Sequence, residues 1–276
     1  MPEKIEVLFF SKKIKDMCQG KKLLDIIIHK GPYLDSEKEK YSEFRKKANE
    51  FSIHKVEDVK TKGKYMYFLL SGKYHALTVH HGMEGSWCTD PNNKHIIMEL
   101  KFEERSIYFQ DSRRFGTFDL LDEADFEMKL LDIGPDAFFE IKSYPELYAM
   151  IALDNKVKKK KLCDMLLDQT FISGIGNYLR ADIMYHSGLH PEKHVGTLTE
   201  EDMEKLFWSM KSILKKCYEQ GGTTTGKYNS SIHTGNYQFL IYGKKTSPLG
   251  EKIESFKDKQ KRTVWWVPLA KLNHSE

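Results

Sequence analysis

Cysteine is scarce in this chain: four in 276 residues, at 18, 88, 163 and 217, with no C-x-x-C pair. That spacing excludes a Cys-rich zinc ribbon and argues against a disulfide scaffold, so buried reduced thiols are expected. Long apolar runs are also lacking, and none approaches the ~18–20 residues of a membrane span. The opening Met1-Pro2-Glu3-Lys4-Ile5-Glu6 has acids where a signal peptide needs a basic start and an apolar stretch. There is no internal repeat and no low-complexity tract. A soluble, intracellular protein is expected. Core material is ample: 40% of residues are hydrophobic and 12% aromatic, which excludes disorder. The length suits one large domain or two of ordinary size.

The net charge is only +4, but it is unevenly placed. From Ile241 to Lys271 eight basic residues face three acids, and a second basic cluster is formed by Lys156 with Lys158 to Lys161. Basic stripes on a nearly neutral body fit a polyanionic partner, the plain alternative being a solvated face.

The first half reads as β-strand. Tyr65 to Leu70, His75 to His80, Ile96 to Phe102, Ile107 to Asp111 and Gly116 to Leu121 are short β-rich runs separated by turn residues, which favours a sandwich or barrel. Ile5 to Cys18 reads as a leading helix. The second half is helical: Leu162 to Leu167, Tyr178 to His186, and a long helix after the Thr199 N-cap, stopped by Gly221-Gly222. Tyr237 to Tyr242 and Thr263 to Val267 read as closing strands.

Three look-alikes fail. Gly221 to Lys227 nearly spells a phosphate-binding loop, but Tyr228 replaces the magnesium hydroxyl and the segment follows a helix. Gly174-Ile175-Gly176 lacks the third glycine of a dinucleotide fingerprint. His186, His190 and His194 are four apart, yet Gly188 and Pro191 break the helix that would align them as metal ligands.

Three other features carry chemistry. Removal of Met1 would expose Pro2 as a secondary amine. A terminal amine titrates near ~7.7–8.0 against ~10.4 for Lys, so near neutral pH it is far more often unprotonated and able to form an iminium. Glu3 stands beside it as a general acid. From Leu166 to Asp182 a helix ends, a glycine turn follows and a second helix begins at Asn177, where bare amides and the helix dipole suit a phosphate. The basic C-terminal hairpin carries Arg262, whose planar fork can clamp a backbone phosphate.

Together these motifs resemble the formamidopyrimidine-DNA glycosylase / endonuclease VIII family over almost the whole chain. The segment Leu167 to Asp182 looks like its helix–two-turn–helix. Asp111-Ser112-Arg113-Arg114-Phe115-Gly116, His80-His81-Gly82-Met83-Glu84-Gly85, Gly134-Pro135-Asp136 and Gly221-Gly222-Thr223-Thr224 match further signatures. The resemblance implies an α+β fold: an N-terminal β-sandwich with a leading helix over 1–124 and a linker over 125–150. A helix–two-turn–helix domain over 151–276 follows, with its hairpin at about 237–272. The family's hairpin cysteines are missing, as in the zincless-finger eukaryotic Nei-like and giant-virus branches, so no metal and no cofactor are expected.

The resemblance also implies roles. Pro2 would attack C1′ of a damaged nucleotide, Glu3 would move protons at the sugar and leaving group, and Glu6 is the second acid of the motif. Lys64 would reach phosphates near the lesion. Asn177 and Arg262 would grip the kinked backbone, and Met83, Arg113 and Phe115, beside Arg114, would fill the void left by the flipped base. The expected activity is that of a bifunctional DNA glycosylase and apurinic/apyrimidinic lyase of base excision repair. Its partner would be damaged DNA, duplex or single-stranded, bound by a monomer in the nucleus or at another site of DNA replication. Two departures stand out: Lys4-Ile5 replaces the family's Gly-Pro, and Leu240 stands where some members carry a lesion-reading cation. The first keeps a rival alive, an inert damaged-DNA-binding protein on the same scaffold.

Overall fold

The computed structural model describes residues 1–223 and 232–268. Thr224 to Lys227 of the near-phosphate loop and Lys271 of the basic tail lie outside them. The chain divides into two compact units: Met1–Asp132 with Gln220–Asn236, and Ile133–Glu219 with Tyr237–Glu276. Residues 125–150, expected as a linker, carry the end of one helix and the start of another.

In the first unit α1 (Lys4–Cys18) precedes β1 (Lys22–Ile28), α2 (Pro32–Asp35) and α3 (Glu39–Asn49). Then come β2 (His54–Lys62), β3 (Tyr65–Ser71), β4 (Ala76–His80), β5 (Ser86–Cys88), β6 (Ile96–Phe102), β7 (Ser106–Gln110), β8 (Thr117–Leu121) and α4 (Glu123–Leu131). All eight strands join one antiparallel sheet in the order β5-β7-β6-β1-β2-β3-β4-β8. The expected sandwich is therefore one sheet folded on itself. Phe109 of β7 meets Phe118 of β8 at 4.9 Å between ring centroids, and Trp87 of β5 meets Phe68 of β3 at 5.8 Å. Alternation along β3 explains its uninterrupted apolar run: Met66, Phe68 and Leu70 enter this core with Val7, Phe10 and Ile14 of α1. Tyr67 faces the other way into a small cluster closed by Phe126 of α4. Cys18 and Cys88 are buried thiols outside any disulfide, as are Cys163 and Cys217 in the second unit.

The segment Gln220–Asn236 returns to the first unit. Asn236 N donates to Gln220 O at 2.8 Å, Ile232 packs on the main core, and His233 stacks on Phe9 at 4.4 Å.

The second unit holds α5 (Tyr144–Leu153), α6 (Asn155–Lys158), α7 (Leu162–Met165), α8 (Asn177–Ser187), a 3-10 turn at Val195–Thr197, and α9 (Glu200–Glu219). Thr199 caps α9 as expected: its Oγ1 accepts from Asp202 N, and Asp202 Oδ2 accepts from Thr199 N. A hairpin of β9 (Glu254–Lys257) and β10 (Thr263–Trp266) follows. Tyr237 to Tyr242 is not a strand. Asp182 of α8 takes the Leu240 and Ile241 amides and the Tyr237 hydroxyl at 2.8–3.1 Å, so these donors serve a buried carboxylate instead of a sheet. Burial pushes that carboxyl's pKa up against the pull of its donors. No helix among the described residues is long and apolar enough to cross a membrane.

Candidate active site

The N-terminal turn is built by α1. Glu3 is its N-cap and forms a capping box with Glu6, whose Oε2 accepts from Glu3 N at 2.8 Å. The other carboxylate oxygen of Glu6 accepts from Thr223 N at 2.8 Å, so the returning segment is tied to the first turn of the helix. Gly222 allows this approach. At φ +78° it stands where a Cβ would lie 2.6 Å from Glu6 Oε1. Pro2, Glu3 and Glu6 are all buried.

Around the terminal amine four side chains converge. Burial lowers the pKa of the Met1 amine, the carboxylates of Glu3, Glu6 and Glu84 act to raise it, and Lys64 acts to lower it. Lys64 owes its place to the hairpin between β2 and β3. Gly63 takes φ 55° in a two-residue turn between paired Lys62 and Tyr65, which leaves Lys64 at the tip. The same ammonium reaches His80, whose pKa is lowered first by burial and then by Lys64 and Lys129. Lys4, the departure from the family motif, is 0% exposed, and its Nζ donates to Thr61 Oγ1 of β2 at 2.9 Å.

Two neighbouring loops present the exposed trio. Asp111 is buried, and its carboxylate accepts from the amides of Arg113, Phe115 and Gly116 at 2.8–2.9 Å. That cap curls 112–115 outward, with Arg114 in the left-handed region at φ 57°. Phe115 is left 51% exposed and carries the Arg113 guanidinium 4.8 Å from its ring centroid. The second loop touches the first through Gly82, where a Cβ would meet Phe115 C at 2.6 Å, and through the Ser112 hydroxyl, which donates to Glu84. Met83 stands on it, 42% exposed. Beneath lies His81, fully buried, accepting from Trp87 Nε1 at 3.0 Å, its pKa lowered by burial to about 3.

In the second unit the glycine turn before α8 is braced by Gln169, whose side chain bonds Gly174 N, Ile175 O and Leu167 O. Gly134 is pressed against Thr170 and Phe171, and Ser173 bonds to Gly134 O and Pro135 O; the Gly134-Pro135-Asp136 signature is thus the floor of that turn. Asn177, the first residue of α8, donates from Nδ2 to Thr263 O at 3.2 Å, beside Arg262. The structure therefore brings Glu3, Glu6 and Lys64 together, Met83 with Arg113 and Phe115, and Asn177 with the Arg262 hairpin.

Sequence reasoning assigned no role to Glu84, Asp111, Arg180, Asp258 or His233. Asp111 had a local signature, an Asp heading a polar turn that ends in Gly. The others are found only through the fold. No Cys or His occurs between residues 243 and 268, so that hairpin lacks the thiolates and imidazoles of a zinc site.

The model of the formamidopyrimidine-DNA glycosylase N-terminal domain matches residues 1–118, and that of the formamidopyrimidine-DNA glycosylase H2TH domain matches 133–229. The formamidopyrimidine-DNA glycosylase of Mycoplasma pneumoniae is 31% identical, with 89% of each chain covered. Two Lactococcus lactis structures superpose with a TM-score of 0.81 over 97% of this chain and 98% of theirs. One is a mutant bound to Fapy-dG-containing DNA, at 26% identity, and the other a complex with abasic-site DNA, at 25%.

Proposed function

Because this chain belongs to the formamidopyrimidine-DNA glycosylase family, we propose that it is a DNA glycosylase of base excision repair with an accompanying lyase activity, acting on oxidised bases in DNA. The observation that carries this reading is the set of carboxylates built around buried Pro2: Glu3 and Glu6 are buried beside it in one capping box, Thr223 ties Glu6 down, and Glu84 and Lys64 act on the Met1 amine that precedes it. A site that only bound DNA would have no use for carboxylates there, since they repel phosphate.

After removal of Met1, the Pro2 nitrogen donates its lone pair to C1′. The N-glycosidic bond breaks with its electron pair going to the base, which takes a proton from solvent as it leaves, and Glu3 accepts the proton shed by the Pro2 nitrogen. Opening of the sugar, with Glu3 supplying a proton to the ring oxygen, yields the iminium. Loss of a C2′ proton then expels the 3′ phosphate, and a second elimination expels the 5′ phosphate. Lys64 neutralises phosphate charge near the lesion. Glu6 holds Glu3 in place through the capping box.

Extrusion of the base costs about 2–4 kcal/mol. Met83 and Phe115 replace the lost stacking, and Arg113 reads the orphaned partner base. Arg114 adds charge beside them, while Asn177 and Arg262 grip phosphates. Affinity for damaged DNA, in duplex or single-stranded form, falls with salt as counterions compete. The protein acts as a monomer wherever DNA is replicated, and its hairpin works without metal. The Lactococcus lactis complexes support both substrates, a damaged base and an abasic site.

Borohydride trapping on duplexes carrying an abasic site or an oxidised base tests this. Protein with a free Pro2 amine should give a covalent adduct, and an N-terminally blocked control should not. Tight binding without adduct or cleavage would replace the enzyme with the inert binder.

A further inference from the structure

Arg180 lies one helical turn beyond Asn177 on α8 and is 0% exposed, a state Arg reaches only when paired. Its guanidinium donates to Asp258 Oδ2 at 2.8 Å, to Cys163 O at 3.1 Å, to Thr263 O at 3.3 Å and to Asn177 Oδ1. Asp258, its side chain equally buried, heads the turn between β9 and β10. The other oxygen, Oδ1, accepts from Gln260 N at 2.9 Å and Arg262 N at 2.8 Å, closing a turn in which Lys261 takes φ 60°.

We propose that the Arg180–Asp258 pair is the positioning device of the phosphate grip, holding Arg262 on its hairpin and Asn177 on its helix in one fixed relation. This inference rests on the reading of Asn177 and Arg262 as phosphate ligands. An apolar pair of similar volume would staple the hairpin to α8 at least as firmly, since buried ion pairs seldom add net stability. What an apolar pair cannot do is orient. Arg180 takes Asn177 Oδ1, which fixes the amide so that Nδ2 points outward with one hydrogen on Thr263 O and the second available to a phosphate. Asp258 fixes the backbone of Arg262 and so the root of its side chain. With no thiolate or imidazole in this stretch, the pair does this work without a metal.

The test is duplex binding with a non-cleavable abasic-site analogue, measured from about 50 to 300 mM salt on the full chain. Arg262→Ala should weaken binding about tenfold and reduce the log Kd–log salt slope by about 0.9, one phosphate contact. Asp258→Asn should cost the same affinity and the same slope, and the double variant should be no worse than Arg262→Ala alone. Should Asp258→Asn fail to fold, Arg180→Met with Asp258→Leu removes both charges together and should show the same slope loss. Wild-type affinity and slope in a folded pair variant, or losses that add to those of Arg262→Ala, would overturn the proposal. An Arg262→Ala variant that binds like wild type would instead overturn the phosphate reading beneath it.

Discussion

Lys4 carries an ammonium into a fully buried position at the start of a helix, where both desolvation and the dipole oppose a cation. Thr61 relieves part of that cost. Thr61→Val should therefore lower the first unit's stability by about 1–3 kcal/mol, and adding Lys4→Met, which removes the charge, should recover most of it. Thermal melts of the two single variants and the double close the cycle. His81 sets a pH limit. Its folded pKa of about 3 lies below the unfolded ~6.5, so on acidification the unfolded chain takes up the proton first. Stability is then full above ~6.5 and is lost as pH falls toward 3, by about 2 kcal/mol between pH 7 and 5. His81→Gln should flatten the denaturation midpoint over that range, and an unchanged slope would remove His81 as the cause. At this scale the sequence revealed the residues that carry named chemistry. It hid the polar partners Thr61, Asp258 and Glu84, because a Thr, Asp or Glu that fixes a loop reads the same as one facing solvent.

Among the elements, α1 and the segment after α9 share a contact that tolerates no added atom. Gly222→Ala would meet both the strain of φ +78° and the Glu6 carboxylate at 2.6 Å. Its expected result is an adduct yield in borohydride trapping reduced at least tenfold, with a lower melting temperature. Wild-type yield would show that Glu6 need not hold Thr223. The long helix α9 was legible because its apolar period is regular, and strands β3, β6 and β8 because they are short β-rich runs bounded by turn residues. Strands β1 and β2 were not. β1 is out of register with β6 between Leu23 and Asp25, and β2 with β3 between Val56 and Asp58, so neither strand alternates cleanly. The final hairpin was half-read: β10 was expected, but its partner is β9, because aromatic richness at Tyr237 to Tyr242 reflects packing on Tyr178 and not a strand.

At the scale of the molecule, the first unit is not continuous in sequence. A fragment ending at Asp132 keeps every strand of the large sheet but loses Thr223 from Glu6, His233 from Phe9 and Ile232 from the core. It should melt below the full chain and give no borohydride adduct, as calorimetry and trapping would register. A fragment as stable and as reactive as the full chain would make the return segment dispensable. A division placed from sequence at residues 125–150 could not anticipate this return, because nothing in the composition of 220–236 marks it as belonging elsewhere.

The bond from Glu6 to Thr223 spans 217 positions. During synthesis at about 5–20 residues per second, the first turn of α1 waits roughly 10–40 s for its partner to be made. Under the proposed mechanism, a nascent or truncated chain that lacks Thr223 therefore carries Pro2 in an incomplete site.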